Sequence, residues 1–501
     1  MEIFAKSSAR AVRLLLFAAG LMLYACGGQP TPIAVPPTVS PPTAVPVEPT
    51  ATFIPPTAPP AGPVFAVDDD AVNRDTTQAG LSPALAVGST TAGAPGNAWV
   101  TWAENAEGGL RQIFVSELVS GAFQPHGAAL NIHLNVVAAD PSITFAGEDR
   151  LVPWAAWAEP SPSFGGAAQI FASRFNAASG LWQPAGQDRG GSEPSLNLHT
   201  KRNAFDPFIF GGSGDPTQPP VPWVVWVEDS ANSNFAQIFV AHGVKDDTGI
   251  GGFRWDFVGV EHNGEPTVNV DPARDGLRPT GVFAETGNAV PWLTWTEIGA
   301  GRPSRIFTAR GVADAKAPGG FKWINVPPCE PDESACALNV NPLKDADEVS
   351  LTAGSLDPGE AAVPWIVWSE EGPTGKRQVF VSRLDTTTRN SFLNVGASLN
   401  VDQNHDAEAP YITFVNNVPY VGWLEDDGTG KFRVHVRHLA SDPQTGTWTL
   451  DSPPAGFNVN PAVSATGPFV AASTADTLFL SWVEGDPGSE ASQVVVAHLK
   501  P

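Results

Sequence analysis

Apolar and polar positions along this chain recur in seven long cycles. Each cycle is anchored by a short apolar run that ends in an acid, as in Trp223-Val-Val-Trp226-Val-Glu228. The second aromatic of the run is Trp at 102, 157, 226, 295, 368, 423 and 482, and copies lie 55 to 73 residues apart. Two residues on stands Glu104, Glu159, Glu228, Glu297, Glu370, Glu425 or Glu484. Three residues before stands Trp99, Trp154, Trp223, Trp292, Trp365, Tyr420 or Phe479. Side chains three apart on a strand point to opposite faces, so both faces of this strand must be buried. A small sheet sandwiched between two like sheets meets that demand.

Further strands flank it. A run of Ile or Val, usually followed by Phe, comes after each motif across a Gly-, Pro-, Ser- and Asn-rich gap, as at Gln112-Ile-Phe-Val and Gln378-Val-Phe-Val, which reads as a hairpin. A strand marked by Trp182, Trp255, Trp323 or Trp448, or by Phe123 or Phe392, comes next. The tightest signal is Asn followed ten residues later by Pro: Asn73–Pro83, Asn131–Pro141, Asn197–Pro207, Asn269–Pro279, Asn400–Pro410 and Asn458–Pro468, with Asn339–Val349 keeping the spacing without the Pro. A constant spacing implies a fixed turn, which Asn suits because its side chain bonds nearby backbone.

Four short strands repeated seven times predict an all-β, seven-bladed β-propeller of four-stranded antiparallel blades over residues 63–501. The seventh unit runs out of chain before its fourth strand. Phe65 precedes Asn73 by the spacing that separates Phe123 from Asn131 and Phe392 from Asn400. The segment around Phe65 is therefore expected to pair with Gln493–Leu499 and complete the last blade. These repeats resemble those of propeller-type bacterial surface lipoproteins, and more loosely those of sialidase-like propellers. The resemblance spans the repeat region and implies architecture, not a particular activity.

The amino-terminal 62 residues differ in kind. Lys6, Arg10 and Arg13 precede the apolar run Leu14–Ala25, which is too short to span a bilayer and reads as a signal peptide over 1–25. Leu23-Tyr24-Ala25-Cys26-Gly27 resembles the lipobox of bacterial lipoproteins, which implies lipidation of Cys26 and an extracytoplasmic, membrane-anchored protein. Residues 26–62 are dominated by Pro, Thr, Ala and Val and read as a polyproline II stalk, reaching roughly 100 Å at full extension. Cys329 and Cys336 are the remaining cysteines and are expected to form a disulfide.

Removing the signal peptide takes the formal charge from −24 to about −26, which argues against nucleic acid and leaves the lipid as the expected membrane contact. A monomer is expected. A residue repeated seven times is more often structural than catalytic, so the seven Glu are read as acceptors for backbone N–H groups of their own hairpins. The position two after each Asn is polar, with Asp75, His133, His199, Asp271, Asn341, Asp402 and Asn460, and Asp75, His133, His199, Asp271 and Asp402 are candidate ligand contacts. Asp402, Asn404, Asp406 and Glu408 place oxygens at alternate positions: a calcium loop would take Ca²⁺ there, whereas a set of Asx turns would need no ion. No serine-nucleophile elbow, HExxH or phosphate loop is present. Tyr411 and Tyr420 both occupy repeat positions, and Ser355-Leu-Asp357-Pro-Gly359 is a partial Asp-box. The reading is a binding or interaction module for a protein or glycan. Its rivals are a glycan-cleaving hydrolase and a structural envelope component, and a cluster of non-repeated carboxylates or Arg at the channel mouth would favour the hydrolase.

Overall fold

The structure is a computed structural model. It describes residues 64–69, 72–106, 109–189, 193–259, 264–285, 287, 289–329, 333–440, 446–472, 477–485 and 492–500. The signal peptide, Cys26 and the Pro-rich segment lie outside these residues.

Strand β1 (Val64–Asp69) is followed by blade 1, made of β2 (Gly80–Gly88), β3 (Asn97–Asn105), β4 (Arg111–Val119) and β5 (Ala122–Pro125). Blade 2 is β6 (Ala139–Ala146), β7 (Val152–Pro160), β8 (Ala168–Asn176) and β9 (Leu181–Pro184). Blade 3 is β10 (Ala204–Gly212), β11 (Val221–Asp229), β12 (Ala236–Lys245) and β13 (Phe253–Phe257). Blade 4 is β14 (Asp275–Ala284), β15 (Val290–Gly299), β16 (Arg302–Ala313) and β17 (Phe321–Asn325). Blade 5 is β18 (Ala346–Gly354), β19 (Val363–Glu371), β20 (Arg377–Leu384) and β21 (Phe392–Asn394). Blade 6 is β22 (Ala407–Val415), β23 (Val418–Asp426), β24 (Phe432–Leu439) and β25 (Trp448–Leu450). Blade 7 takes β26 (Ala465–Ala472), β27 (Leu478–Glu484) and β28 (Gln493–Lys500), with β1 as its outer strand.

All seven sheets are antiparallel and four-stranded. The first strands of successive blades touch in order around the ring, from β2 through β26 and back to β2, and so line a central channel. Closure follows the expected register: Phe65 pairs with Leu499, and its ring stacks on Phe457 at 4.1 Å. Trp99 and Trp102, like Trp292 and Trp295, have no exposed surface, since each strand of the Trp motif is the second of its sheet and is covered on both faces.

The first strands fit together by alternating size. Gly88, Gly212 and Gly354 in blades 1, 3 and 5 lie against Phe145, Phe283 and Phe414 of the next blade, and a Cβ on Gly212 would sit 1.9 Å from the Phe283 ring. Cys329 and Cys336 form the expected disulfide, with Cα atoms 4.6 Å apart.

The repeated Asn and Glu together staple one blade to the next. Asn197 takes the Ile170 N–H of β8 on its Oδ1 at 2.8 Å and returns its amide to the Ala168 and Arg202 carbonyls. Glu228, on the second strand of the following blade, accepts the N–H groups of Leu198 and His199, next in the same loop, and the Trp226 indole N–H. The same pattern recurs in every blade, as at Asn73 with Glu104 and at Asn400 with Glu425. This corrects the reading of the seven Glu as caps of their own hairpins. N–H groups at the hairpin are already in the ladder, as the pairing of Glu228 with Gln237 shows, whereas the loop entering the blade has none.

Candidate functional site

Each first strand bulges at the ninth residue after the repeat Asn, just before the repeat Pro in six blades and before Val349 in the fifth. The register breaks there in all seven blades, and that residue takes positive φ: Ser82 at 48°, Asp140 at 52°, Asp206 at 49°, Arg278 at 49°, Glu348 at 58°, Ala409 at 49° and Gly467 at 55°. Six of the seven are not glycine, so the backbone carries strain at one level of the channel. All first strands start at the face of the stapled loops, so this level is the channel mouth on that face.

The backbone position is constant and the chemistry is not. Arg278 reaches Glu348 at 2.9 Å and Asp347 at 3.5 Å. Glu348 also accepts the Ala409 N–H at 2.6 Å. The Asp206 N–H faces the Asp140 carboxylate, and the Arg278 N–H faces that of Asp206. Glu408 lies within electrostatic reach of Glu348, Arg278 and Arg377. Groups from blades 2 to 6 can approach one another in this way only at the axis.

Crowding of acids in a narrow channel has a direct consequence. Asp140 keeps some surface open to the channel, yet burial and then the Asp206 charge push its pKa up to about 7, against the Arg111 charge. Burial likewise raises Asp206, opposed by the charge of Arg278. Glu408 is pushed up to about 7, by burial first and by Glu348 second. Glu348 differs in its partners: it pairs with Arg278 and accepts the Ala409 N–H. Paired carboxyls in such different surroundings can divide proton donation and charge stabilisation between them.

The other candidates are spread one per blade around the same face. Asp75, Asp271 and Asp402 each turn back on their own loop, accepting the N–H groups of Thr77, Ala273 and Asn404. His133 bridges Glu159 at 3.0 Å and Glu193 at 3.2 Å, and Ser161 and Ser163 also bond Glu193. His199 meets Glu265 at 2.8 Å, which also holds Ser230. Glu193 and Glu265 went unnoticed in the sequence, although Glu-Pro-Ser-Leu-Asn197 and Glu-Pro-Thr-Val-Asn269 place each four residues before the repeat Asn.

The acids of the 402–408 segment diverge. Asp402 bonds Asn404, Asp406 pairs with Lys376 at 2.8 Å and accepts the Arg377 N–H, and Glu408 belongs to the channel mouth. Among the described residues no group of three or more His, Cys, Asp or Glu is placed to hold a metal ion. Tyr411 lines the channel below the bulge, and burial raises its pKa to about 12.

No family model matches the chain, and no curated protein matches it in sequence. Several solved structures share the fold. A protein of unknown function from Dyadobacter fermentans is 12% identical over 88% of this chain and 99% of its own, with a TM-score of 0.46. An α-L-arabinanase of Penicillium chrysogenum, solved with arabinobiose, is 13% identical over 72% of this chain and 93% of its own, with a TM-score of 0.42. An α-L-arabinofuranosidase of Fusarium graminearum is 11% identical over the same shares, with a TM-score of 0.40.

Proposed function

We propose that this protein is a lipid-anchored, extracytoplasmic propeller that binds a glycan at the channel mouth and cleaves a glycosidic bond there. The observation that carries this reading is the convergence of Asp140, Asp206, Arg278, Asp347, Glu348 and Glu408 on the axis. These residues vary from blade to blade where the fold demands only a bulge. Glu408 serves as the acid that protonates the leaving oxygen. Glu348, held by Arg278 and the Ala409 N–H, serves as the carboxylate that activates water or stabilises the positive charge developing on the sugar. Asp140 and Asp206 supply hydrogen bonds to sugar hydroxyls.

The test is reducing-end release by the propeller, residues 64–501, from a panel of polysaccharides and aryl glycosides. The panel includes arabinan and α-L-arabinofuranosides, the chemistry named for two of the propellers above. Glu408→Gln is expected to lower kcat roughly 10²- to 10⁴-fold with little change in KM or melting temperature. The acid must carry its proton, so wild-type cleavage falls as pH rises through about 7, the value to which Glu408 is raised. Retention of a glycan without cleavage, lost in Glu348→Gln, makes the protein a binding module instead. The absence of both cleavage and retention refutes a glycan site.

Anchoring rests on Cys26 and its lipobox spacing. Intact cells should retain the protein in the membrane fraction, and Cys26→Ser should release it. Strand β1 begins at Val64 on the face opposite the stapled loops and runs toward them. A Cys26→Ser variant that stays membrane-bound contradicts the anchor.

A further inference from the structure

The channel has a second end, and its chemistry is the reverse of the first. Below the bulges the first strands enclose a cavity of about 530 Å³, within the usual range for small-molecule sites. Its wall is mixed, as much polar as apolar: Leu85, Ile143, Phe208, Val282 and Leu351 from five blades supply apolar side chains, and Tyr411 and Thr352 lie among the polar lining residues. The rim on this side is built from the turn after β2, with Ser89, Thr91 and Gly93, and from the turn after β6, with Asp149, Arg150 and Leu151. The latter turn is pinned to blade 3: the Gly147 N–H donates to the Pro220 carbonyl at 2.7 Å, and Arg150 Nη1 donates to the Gly211 carbonyl at 3.2 Å.

Arg150 is the cation of this rim, in a chain of formal charge −24. Among the described residues no carboxylate lies within ion-pairing distance of it, and its neighbour Asp149 does not pair with it. The carbonyl of Gly211 uses one of five guanidinium N–H donors. A guanidinium held at the edge of a cavity with a mixed polar and apolar wall, with most of its fork unused, is matched by a planar anion on an organic body.

We propose that this end of the channel is a binding site for a small organic carboxylate, separate from the acidic mouth. The carboxylate takes the free edge of the Arg150 guanidinium, and the body enters the cavity against Phe208 and Leu351. The Tyr411 and Thr352 side chains line the part of the cavity that the body enters.

Titration calorimetry on the propeller tests this with four probes: benzoate and glucuronate, and their uncharged counterparts benzamide and glucose. At least one carboxylate should bind while its uncharged counterpart does not. Arg150→Met should weaken that carboxylate by roughly tenfold to hundredfold, the scale of losing hydrogen bonds to a charged group. Arg150→Lys should restore part of it. Arg150 sits on a surface turn, so an unchanged melting temperature in both variants excludes a folding defect. Glu408→Gln lies at the other end and should leave carboxylate binding unchanged. The site is overturned if neither carboxylate binds at millimolar concentration, if acid and counterpart bind alike, or if Arg150→Met binds as wild type does. Loss of binding in Glu408→Gln would assign the anion to the mouth, against this proposal. None of these results depends on whether the mouth cleaves glycans.

Discussion

Removing residues 64–69 should cost the propeller its cooperative fold, whereas removing residues 29–60 should leave its melting temperature nearly unchanged. Strand β1 pairs along β28 from Val64–Lys500 to Asp69–Val496. Phe65 stacks on Phe457 beside a cluster that includes Trp482 and Leu499, and Asp68 pairs with His498 at 2.8 Å. Backbone hydrogen bonds at about 1 kcal/mol each and one half-buried aromatic at about 1 kcal/mol put the loss on the order of 5 kcal/mol. Topology adds to this. β1 belongs to blade 7 but continues into the loop that enters blade 1, so it is the covalent link across the one seam the rest of the chain leaves open. Without it β28 becomes an exposed edge strand rich in Val, a template for association. Differential scanning calorimetry should show a drop of more than about 10 °C, or aggregation before unfolding. A β1-deleted protein that melts with the full propeller would mean that the seam is held by the Asn73 staple and by packing between blades 7 and 1.

The architecture was legible because its determinants repeat. Trp102, Glu104 and Asn73 each recur seven times, so any one copy is read against six others. The outer-strand role of Phe65 followed from its spacing to Asn73 alone. The partners of Glu104 were not legible, because a period gives spacing along the chain and not which neighbouring segment lacks ladder hydrogen bonds. The channel mouth was hidden for a different reason. Asp140, Asp206, Arg278 and Glu348 stand 66 to 72 residues apart, each surrounded by residues typical of its own blade. What joins them is a shared place at the ninth residue after the repeat Asn. Aligning the seven units on their Asn gives Ser, Asp, Asp, Arg, Glu, Ala and Gly there. In a repeat protein, a column fixed in position and free in chemistry marks where the copies meet without being equivalent. Glu408, one residue earlier, was noticed, but as the end of a calcium loop. Local alternation suggested shared ligation, whereas the bulge at Ala409 sends Glu408 to the axis while Asp402 and Asp406 bond their own loop and the adjoining strand.

Glu228→Ala should be among the most damaging single substitutions in the protein, while Asp75→Ala should be nearly silent. Glu228 has no exposed surface and accepts three N–H groups, from Leu198 at 3.0 Å, His199 at 2.7 Å and the Trp226 indole at 3.0 Å. Truncation leaves these donors without their acceptor and opens a void beside Trp226. At about 1 to 3 kcal/mol for each stranded donor, the cost is expected to reach about 3 to 5 kcal/mol once the loop relaxes. Asp75 accepts only from Thr77 at an exposed turn, and its loss should fall within about 0.5 kcal/mol. The staple also sets the direction of the pH dependence. Burial raises the pKa of Glu228 to about 8 and of Glu297 to about 7, and raises Glu159, Glu370 and Glu425 as well, although the indole and backbone N–H groups oppose the shift. A carboxyl with a raised folded-state pKa binds its proton more tightly in the native protein than in the unfolded chain. Its contribution is therefore complete below the usual carboxyl pKa near 4 and is lost as pH rises through the raised value. Unfolding free energy should fall steadily from about pH 5 to pH 8, and Glu228→Gln, which cannot ionise, should flatten part of that slope. Urea titrations across this range measure both effects. A stability that climbs toward pH 8 would show instead that the three donors outweigh burial and hold the staple ionised throughout.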